Sequence, residues 1–474
     1  MPRSRRVFVS LLGALSVTLV VAPASAQAHG IVGKADLPIP VWLFSWTAAI
    51  VLVASFVALS TLWMTPRLQE QHPRRLFKLS PVLGWLASLV GVGLFALVIY
   101  SGFAGAQETN ANFSVTFIYV VFWVGLPVLS VLFGDVFAAL NPWRSFARLL
   151  RWAARTARGG RELPVLRYPD WLGTWPAVAG IIGFAWLELV YVNRDRPSLL
   201  AALSLGYFAV MLAGMGLFGI ETWSEKGDAF GVYFNLLSRL SALGRDEQGT
   251  VYLRRPLSAV TDLKVGSGTV ALVCTVIGTT TFDGFSNGGI WRNNEPNVQS
   301  LFADLGFHPV PAQELAYSVG LVFCILLIAL VYRLGIEGVR SVSDQYSRDQ
   351  LTRAFAHTLV PIGFAYVLAH YFSLLIWQSQ AMGYLISDPL GNGANIFGTA
   401  SYQIDYHIVS YAAIWYVQVA ALIAGHLGGL ALAHDRALVI YRSPRQAVRS
   451  QYWMLAVMVA FTSFGLWLLS AVGT

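Results

Sequence analysis

Four of the eight histidines fall within two neighbouring apolar stretches near the carboxyl-terminal end of the chain. His357 and His370 belong to the first stretch, and His407 and His426 belong to the second. An ionisable side chain inside a bilayer costs roughly 2.5 to 3.5 kcal/mol, so residues of this kind are kept there for a function. Histidine can bind a metal ion, act as a general base or pass on a proton. We therefore expect the functional site to lie between these two stretches.

Acidic side chains lie at the ends of other apolar stretches and in the loop between the two that carry histidines. Histidine and carboxylate groups are the ligands of zinc, manganese or iron, and a bound divalent metal makes its water a nucleophile near neutral pH. The residues we expect at such a site are His370 and His407 as metal ligands, Asp283 and Asp388 as catalytic groups, and His357, His426, Glu188, Asp405 and His29 as secondary candidates. No HxH, HExxH or HxxE spacing occurs, so these groups must converge from different helices. Asp283 and Asp388 lie beside glycine or proline, where an aspartate also serves as a turn or cap residue.

The composition requires a membrane protein. Hydrophobic residues make up 56% of the chain, charged residues only 12%, and the mean hydropathy is +0.60. These values exclude an ordinary soluble domain. The net charge of +8 comes from basic residues in the loops between apolar stretches, which indicates membrane orientation rather than binding to nucleic acid.

Ten stretches are long enough to span a bilayer, at roughly 20 residues each. They lie at 41 to 64, 81 to 104, 115 to 138, 171 to 191, 199 to 220, 266 to 283, 315 to 336, 356 to 379, 407 to 432 and 452 to 472. Alternate loops hold 25 basic residues on one side, against Lys34, Arg194, Arg196 and Arg292 on the other. Because basic loops stay in the cytoplasm, the sequence predicts an inner-membrane protein with both mature termini outside. The predicted fold is an all-α bundle, one ten-helix domain of residues 29–474.

Residues 1–28 have the pattern of a cleaved secretory signal peptide. Arg3, Arg5 and Arg6 precede an apolar core, and small residues follow it. Cleavage could follow Ala26 or Ala28. In the second case His29 becomes the first residue, where its α-amine and imidazole together can chelate copper.

Two stretches in cytoplasmic loops are predicted as interfacial helices. The first lies near 143–160, where apolar residues alternate with arginines, a pattern typical of a helix on anionic lipid. The second lies near 227–243 and contains the sequence GVYFNLLSRLSAL. This segment is either an interfacial helix or a re-entrant piece of the bundle.

Several longer motifs resemble those of the bacterial membrane proteins known as the fenitrothion hydrolase family. They are AHGIVGKADLPIPVWLFSW, FGDVFAALNPWR, WLELVY, TTTFDGFSNGGIW, SDPLGNGANIFGT and AIWYVQVAALIAGHLGGLALAHDRAL, which together extend over nearly the whole mature chain. The resemblance implies a hydrolase that cleaves a lipophilic thionophosphate triester and releases a nitrophenol. A water activated by a metal of unknown identity would attack phosphorus. The sequence departs from soluble phosphotriesterases, since it lacks their HxH signature.

A proton-coupled or copper-type transporter is the alternative, because intramembrane histidines suit proton or metal movement. A continuous polar path from His370 and His407 to His357 and His426 would favour it, whereas a hydrolase needs only one of these two layers. Haem is disfavoured, since the 13-residue spacing of His357 and His370 fits a bis-histidine site but the 19-residue spacing of His407 and His426 does not. The expected partners are the lipid bilayer and a small lipophilic substrate, without nucleic acid. A second membrane subunit is left open.

Overall fold

The computed structural model describes residues 41–69, 73–246, 248–343, 345–441 and 443–471. The predicted signal peptide and His29 lie outside these residues. Within them the chain is almost entirely helical, with one small sheet. The prediction of an all-α, polytopic membrane bundle is confirmed.

The helices are numbered in chain order. They are α1 (Val41–Leu62), α2 (Pro81–Ala104), α3 (Phe113–Thr116), α4 (Leu126–Phe133), α5 (Phe137–Leu140), α6 (Pro142–Ala157), α7 (Trp175–Leu189), α8 (Pro197–Phe218), α9 (Ile220–Lys226), α10 (Ala229–Ser238), α11 (Thr269–Ser286), α12 (Gly289–Asp304), α13 (Pro309–Arg340), α14 (Arg348–Phe355), α15 (Leu359–Gln378), α16 (Met382–Leu385), α17 (Tyr411–Ile440) and α18 (Pro444–Ala471). A π-helical segment, Phe117–Gly125, joins α3 to α4, and the 3₁₀ turns Ala356–Thr358 and Ser379–Ala381 join α14, α15 and α16. The strands β1 (Arg74–Lys78), β2 (Leu243–Arg245) and β3 (Thr250–Leu253) form an antiparallel sheet in the order β1-β3-β2.

Nine helical spans in the described residues are long and apolar enough to cross a bilayer. They coincide with nine of the ten predicted spans. The predicted span at 171 to 191 is instead the 15-residue helix α7. At 1.5 Å per residue this helix is about 22 Å long, shorter than the ~30 Å hydrocarbon core. That α7 crosses the whole bilayer stays a prediction.

The outer surface of α1 shows how the bundle meets lipid. Trp42, Trp46, Ile50, Val53 and Val57 recur every three or four residues, and each is at least 46% exposed. A contiguous apolar stripe of this size is unfavourable in water and favourable against acyl chains. The helix therefore lies at the lipid-facing edge of the bundle.

The centre of the bundle is formed by α11, α15 and α17. In α11, 78% of the most apolar stretch is buried inside the protein, against 11% in the peripheral helix α2. Gly425 of α17 lies against α15, where an added Cβ would come within 2.2 Å of Ala365 Cβ and 2.7 Å of the Pro361 carbonyl oxygen. Only a glycine permits this approach of two membrane helices. It brings His426, the next residue, against α15.

The two segments predicted as interfacial helices differ in burial. Helix α6 exposes Leu149, Leu150 and Trp152 and is amphipathic, as expected near 143–160. Helix α10 has eight of its ten residues buried. Burial of this extent fits the re-entrant alternative for the segment near 227–243 better than a helix on the membrane surface.

Two buried aspartates tie loops to the bundle. Asp228 caps α10 and accepts hydrogen bonds from Asn141 Nδ2 at 2.9 Å, Trp143 Nε1 at 2.6 Å, Tyr207 Oη at 2.8 Å and the Gly231 N–H at 3.1 Å. Burial raises the pKa of the Asp228 carboxyl, and these donors oppose the rise. Asp435 of α17 similarly accepts from Trp63, Arg67, Leu68 and Gln69, which anchors the loop after α1.

Asp228→Ala is expected to lower the free energy of unfolding by on the order of 3 kcal/mol, because it leaves several buried donors without an acceptor. The measurement is denaturant unfolding of the detergent-solubilised protein. Asp170→Ala, an aspartate whose side chain is 85% exposed, is the control and should change little. Equal unfolding curves for the two variants would contradict the anchoring role of Asp228.

Candidate functional site

A histidine and an aspartate meet in the middle of the bundle. His370 of α15 places Nε2 2.9 Å from Oδ2 of Asp283 near the end of α11. The side chains are only 5% and 3% exposed. The two residues are 87 positions apart in the sequence, and their contact links the two most buried helices. A buried pair of this kind is where a membrane protein can hold a proton.

The His370 ring has a second nitrogen that is available for chemistry. When Nε2 carries the hydrogen and donates to Asp283, Nδ1 retains its lone pair, and Nδ1 makes no hydrogen bond to any described residue. The ring lines a small cavity of about 20 Å³, together with Thr280, Thr281 and Tyr366. That volume holds one water molecule. The hydroxyl of Thr281 is buried without a hydrogen-bond partner among the described residues, so a water there would have a polar neighbour.

Three further polar side chains surround the pair. Glu188 at the end of α7 is 5% exposed, and its carboxylate lies close enough to Asp283 for the two to repel each other when both are charged. The Tyr371 hydroxyl lies near Asp283 and interacts with it electrostatically. The indole of Trp123 lies beside Glu188 and Tyr371, although its buried N–H lacks a full hydrogen bond. A proton bound by this group would relieve the repulsion between the carboxylates.

Trp123 is positioned by an unusual backbone. It belongs to the nine-residue π-helical segment Phe117–Gly125, where the hydrogen bonds skip one residue more than in an α-helix. Single-turn π-bulges recur at functional sites because they re-aim side chains. Here the segment packs against α15 and turns Trp123 towards Glu188, with the ring of Tyr233 from α10 5.2 Å away.

Charged residues connect Glu188 to the loop after α7. The Tyr119 hydroxyl donates to the Arg194 carbonyl oxygen at 2.9 Å. Arg194 and Asp195 are half-buried and interact electrostatically with Glu188. In the predicted orientation this loop faces the outside, so the group extends from the buried pair to the outer end of the bundle.

A second histidine, His426, lies one turn of α17 away from a residue that lines the small cavity. Leu422 of α17 lines the cavity, and its carbonyl oxygen lies 2.8 Å from Nδ1 of His426. A carbonyl only accepts, so Nδ1 carries the hydrogen and Nε2 is left bare, buried without a partner among the described residues. The His426 ring lies 6.0 Å from the ring of Tyr366. His426 can therefore accept a proton at Nε2.

His357 lies at the beginning of the helical span that contains His370. The two residues are 13 positions apart, which corresponds to about 20 Å along the helix axis. It is buried, and its Nε2 also lacks a partner among the described residues. Arg436 of α17 is its charged neighbour. Both histidines of the predicted inner layer, His357 and His426, are therefore buried, and each has a ring nitrogen without a partner among the described residues.

The loop candidates lie apart from this group. No described hydrogen bond or ion pair joins Asp388, Asp405 or His407 to Asp283 or His370. Asp388 accepts from the Asn392 and Gly393 N–H groups, as an aspartate in a turn does. His407 lies in an exposed loop before α17 begins at Tyr411, and its N–H donates to Asp405 Oδ1 at 2.8 Å. The outer layer is thus His370 with Asp283 and Glu188.

The described part of the chain contains no complete set of metal ligands. No three histidine, cysteine, aspartate or glutamate side chains converge there as metal ligands would. The Nε2 atom of His370 is occupied by Asp283. The divalent metal and the ligand roles of His370 and His407 stay predictions from sequence.

Several residues of the site carried no clear sequence signal. Tyr371, Trp123 and Tyr233 are aromatic residues in apolar stretches and look like ordinary core. Tyr371 could have been noticed because it follows His370 directly. Nothing in the sequence marks the π-helical turn that aims Trp123.

Comparison of the chain with protein-family models, with curated proteins and with solved structures finds no match. The chain is therefore described by its class, a polytopic helical membrane protein with a buried histidine–carboxylate centre.

Gly425→Val is expected to push α17 away from α15, because the new side chain meets Ala365 and the Pro361 carbonyl. It should lower the free energy of unfolding by about 2 kcal/mol or more, as overpacking does. Gly84→Val in α2 is the control, since no atom lies within 4 Å of the added Cβ. Thermal unfolding in detergent measures both. Equal stability would contradict the close approach that positions His426.

Proposed function

We propose that the protein moves protons across the membrane as a proton-coupled transporter, with the Asp283–His370 pair as its proton-binding group. The observation that supports this is the buried 2.9 Å contact between His370 Nε2 and Asp283 Oδ2. Protonatable side chains lie on both sides of this pair along the bundle axis. Buried histidine and carboxylate groups in such a series are typical of proton relays in pumps and transporters.

Uptake of a proton at His370 turns the negatively charged pair, a neutral imidazole beside the Asp283 carboxylate, into a neutral ion pair. A proton arriving at Nδ1 makes His370 an imidazolium, which Asp283 neutralises through the existing hydrogen bond. Loss of the proton restores the neutral ring. The pair alternates between these states with little rearrangement.

The outer branch of the route begins at the half-buried residues Arg194 and Asp195. Glu188 is their buried neighbour and is also the neighbour of Asp283. A proton taken up by Glu188 would pass to the pair by movement of side chains or water over a short distance. Arg194 partly offsets the cost of the charged form of Glu188 after Glu188 has released a proton.

The inner branch begins at the small cavity. One water in it would bring Nδ1 of His370 into contact with the Thr280, Thr281 and Tyr366 side chains. His426 lies beyond Tyr366 and offers its unpartnered Nε2. His357 follows at the level of Arg436. Polar groups in both histidine layers support transport, since a hydrolase needs only one layer.

In proteoliposomes with a pH-sensitive dye inside, wild-type protein should change the internal pH faster than protein-free vesicles when a potassium diffusion potential is imposed. His370→Ala should abolish the difference, because it removes the proton-accepting Nδ1. His407→Ala is the matched control: it removes an exposed histidine and should retain the wild-type rate. Equal rates for wild type and His370→Ala would contradict the proposal.

Hydrolysis of a lipophilic thionophosphate triester is the second candidate, and the His370–Asp283 pair is the observation that favours it. A histidine held by a carboxylate is the arrangement of a general base. His370 would take a proton from a water at Nδ1 while the water oxygen attacks phosphorus and a phenolate leaves. The adjacent cavity of about 20 Å³ holds only that water, whereas pockets for drug-sized ligands measure ~300 Å³ or more. The helices would have to separate to admit the triester, so transport is proposed first.

Membranes carrying the wild type and given a nitrophenyl thionophosphate triester test the hydrolase candidate through release of coloured nitrophenolate. Release that is lost in His370→Ala and retained after chelation is expected of a general base. Release that stops with the chelator is expected of the metal mechanism predicted from sequence. No release above empty membranes, with expression confirmed, would remove this candidate.

A further inference from the structure

A large cavity opens at the arginine-rich end of the bundle, far from the small one beside His370. Its volume is about 1080 Å³. The walls come from the segment around α5 and α6, from α9 and α10, and from the chain leading into α11. We call it the basic-end cavity. Neither the proton route nor the sequence motifs assign it a role.

The acidic side chains of this cavity mostly have donors already. Asp135 accepts from Asn235 Nδ2 at 2.8 Å and from the Ala138 N–H at 3.0 Å. Glu221 binds Arg148 at 3.1 Å and Arg144 more closely. Asp170 and Glu225 also line the cavity, and Asp170 faces Arg167 at 3.6 Å. Glu225 is the lining carboxylate for which the described residues supply no hydrogen bond or ion pair.

The basic side chains of the cavity are less well neutralised. Arg239 and Lys264 form no ion pair with any described residue, and Lys226 lies over the ring of Tyr168 at 5.1 Å. Arg239 reaches only the Ala259 carbonyl oxygen, at 3.5 Å, and its Nε is buried without a partner among the described residues. The cavity therefore holds an excess of unpaired positive charge.

Arg239 is in an unfavourable position when the cavity is considered without a ligand. Burial and the neighbouring Arg254 guanidinium lower the pKa of Arg239, and the more distant Asp262, Asp135 and Glu225 offset this only in part. A guanidinium stays charged in proteins, so its burial must be compensated by an acceptor. An anion in the cavity would provide one.

We propose that the basic-end cavity binds a phosphate group, with Arg239 as its principal contact and Lys264 as a second. The planar guanidinium matches a phosphate with two parallel hydrogen bonds, which is the strongest form of this contact. This site goes beyond the proposed proton movement and does not depend on it.

The surroundings of the cavity favour a lipid headgroup as the source of that phosphate. Trp171 lines the cavity and is 74% exposed, as a tryptophan at a membrane interface is. Helix α6 forms part of the wall and presents Leu149, Leu150 and Trp152 outwards. Basic pockets between membrane helices at the cytoplasmic side are known to suit anionic headgroups. A soluble phosphate ester shares the same chemistry, and the experiment separates the two.

The test is binding to the full-length protein in a neutral sugar detergent, followed by native mass spectrometry. Phosphatidylglycerol is titrated in one arm and glycerol 3-phosphate in the other. The wild type should bind phosphatidylglycerol, and Arg239→Gln should weaken binding at least about tenfold, because a charge-assisted bidentate contact is lost. Binding of glycerol 3-phosphate with the same dependence on Arg239 would support the phosphate site and assign a soluble ligand to it.

The control is Arg245→Gln, which removes an exposed arginine at the same end that does not line the cavity. It should bind like the wild type. If Arg239→Gln fails to fold, Lys264→Gln carries the test, with a loss of severalfold expected. Unchanged binding in Arg239→Gln or, where that variant does not fold, in Lys264→Gln would overturn the proposal. Failure of the wild type to bind either ligand would also overturn it.

Discussion

The hydrogen bond between His370 and Asp283 holds two ionisable side chains together at the centre of the bundle. Burying one ionisable group in the centre of a membrane bundle costs free energy. A hydrogen-bonded partner of opposite charge reduces that cost for both groups. Because the pair joins α15 to α11, the two most buried helices are held in one register. Glu188 and the π-helical segment are arranged around this contact. The proposed proton movement is based on this arrangement of Glu188 and the His370–Asp283 pair.

Close helix packing gives the pair its inner neighbours. A glycine at 425 lets α17 approach α15 closely enough to bring His426 beside Tyr366. The same packing leaves only a water-sized space below His370. A site of this size suits a proton, and a large ligand requires the helices to part. For this reason we propose transport before hydrolysis, although the resemblance to the fenitrothion hydrolase family implies the opposite order.

Apolar length alone predicts nine of the membrane helices, because a bilayer leaves few alternatives to a helix of about 20 residues. The polar residues His370, Asp283 and Glu188 are also recognisable, since each interrupts an apolar stretch. The contact between His370 and Asp283 cannot be predicted from the sequence in the same way. The two residues are 87 positions apart, and the helix packing that joins them is not encoded in a local pattern. His407 shows the opposite case: four residues before α17, it lies in an exposed loop. The anchoring of Asp228 and Asp435 likewise depends on donors distant in sequence.

We propose that His370 and Asp283 act as one unit in proton transfer. A double-mutant cycle on the initial rate of proton flux, with Asp283→Asn, His370→Gln and the double variant, tests it most directly. If the two residues act together, either single change removes nearly the whole flux and the double variant is no slower. Independent losses that multiply in the double variant would contradict the account.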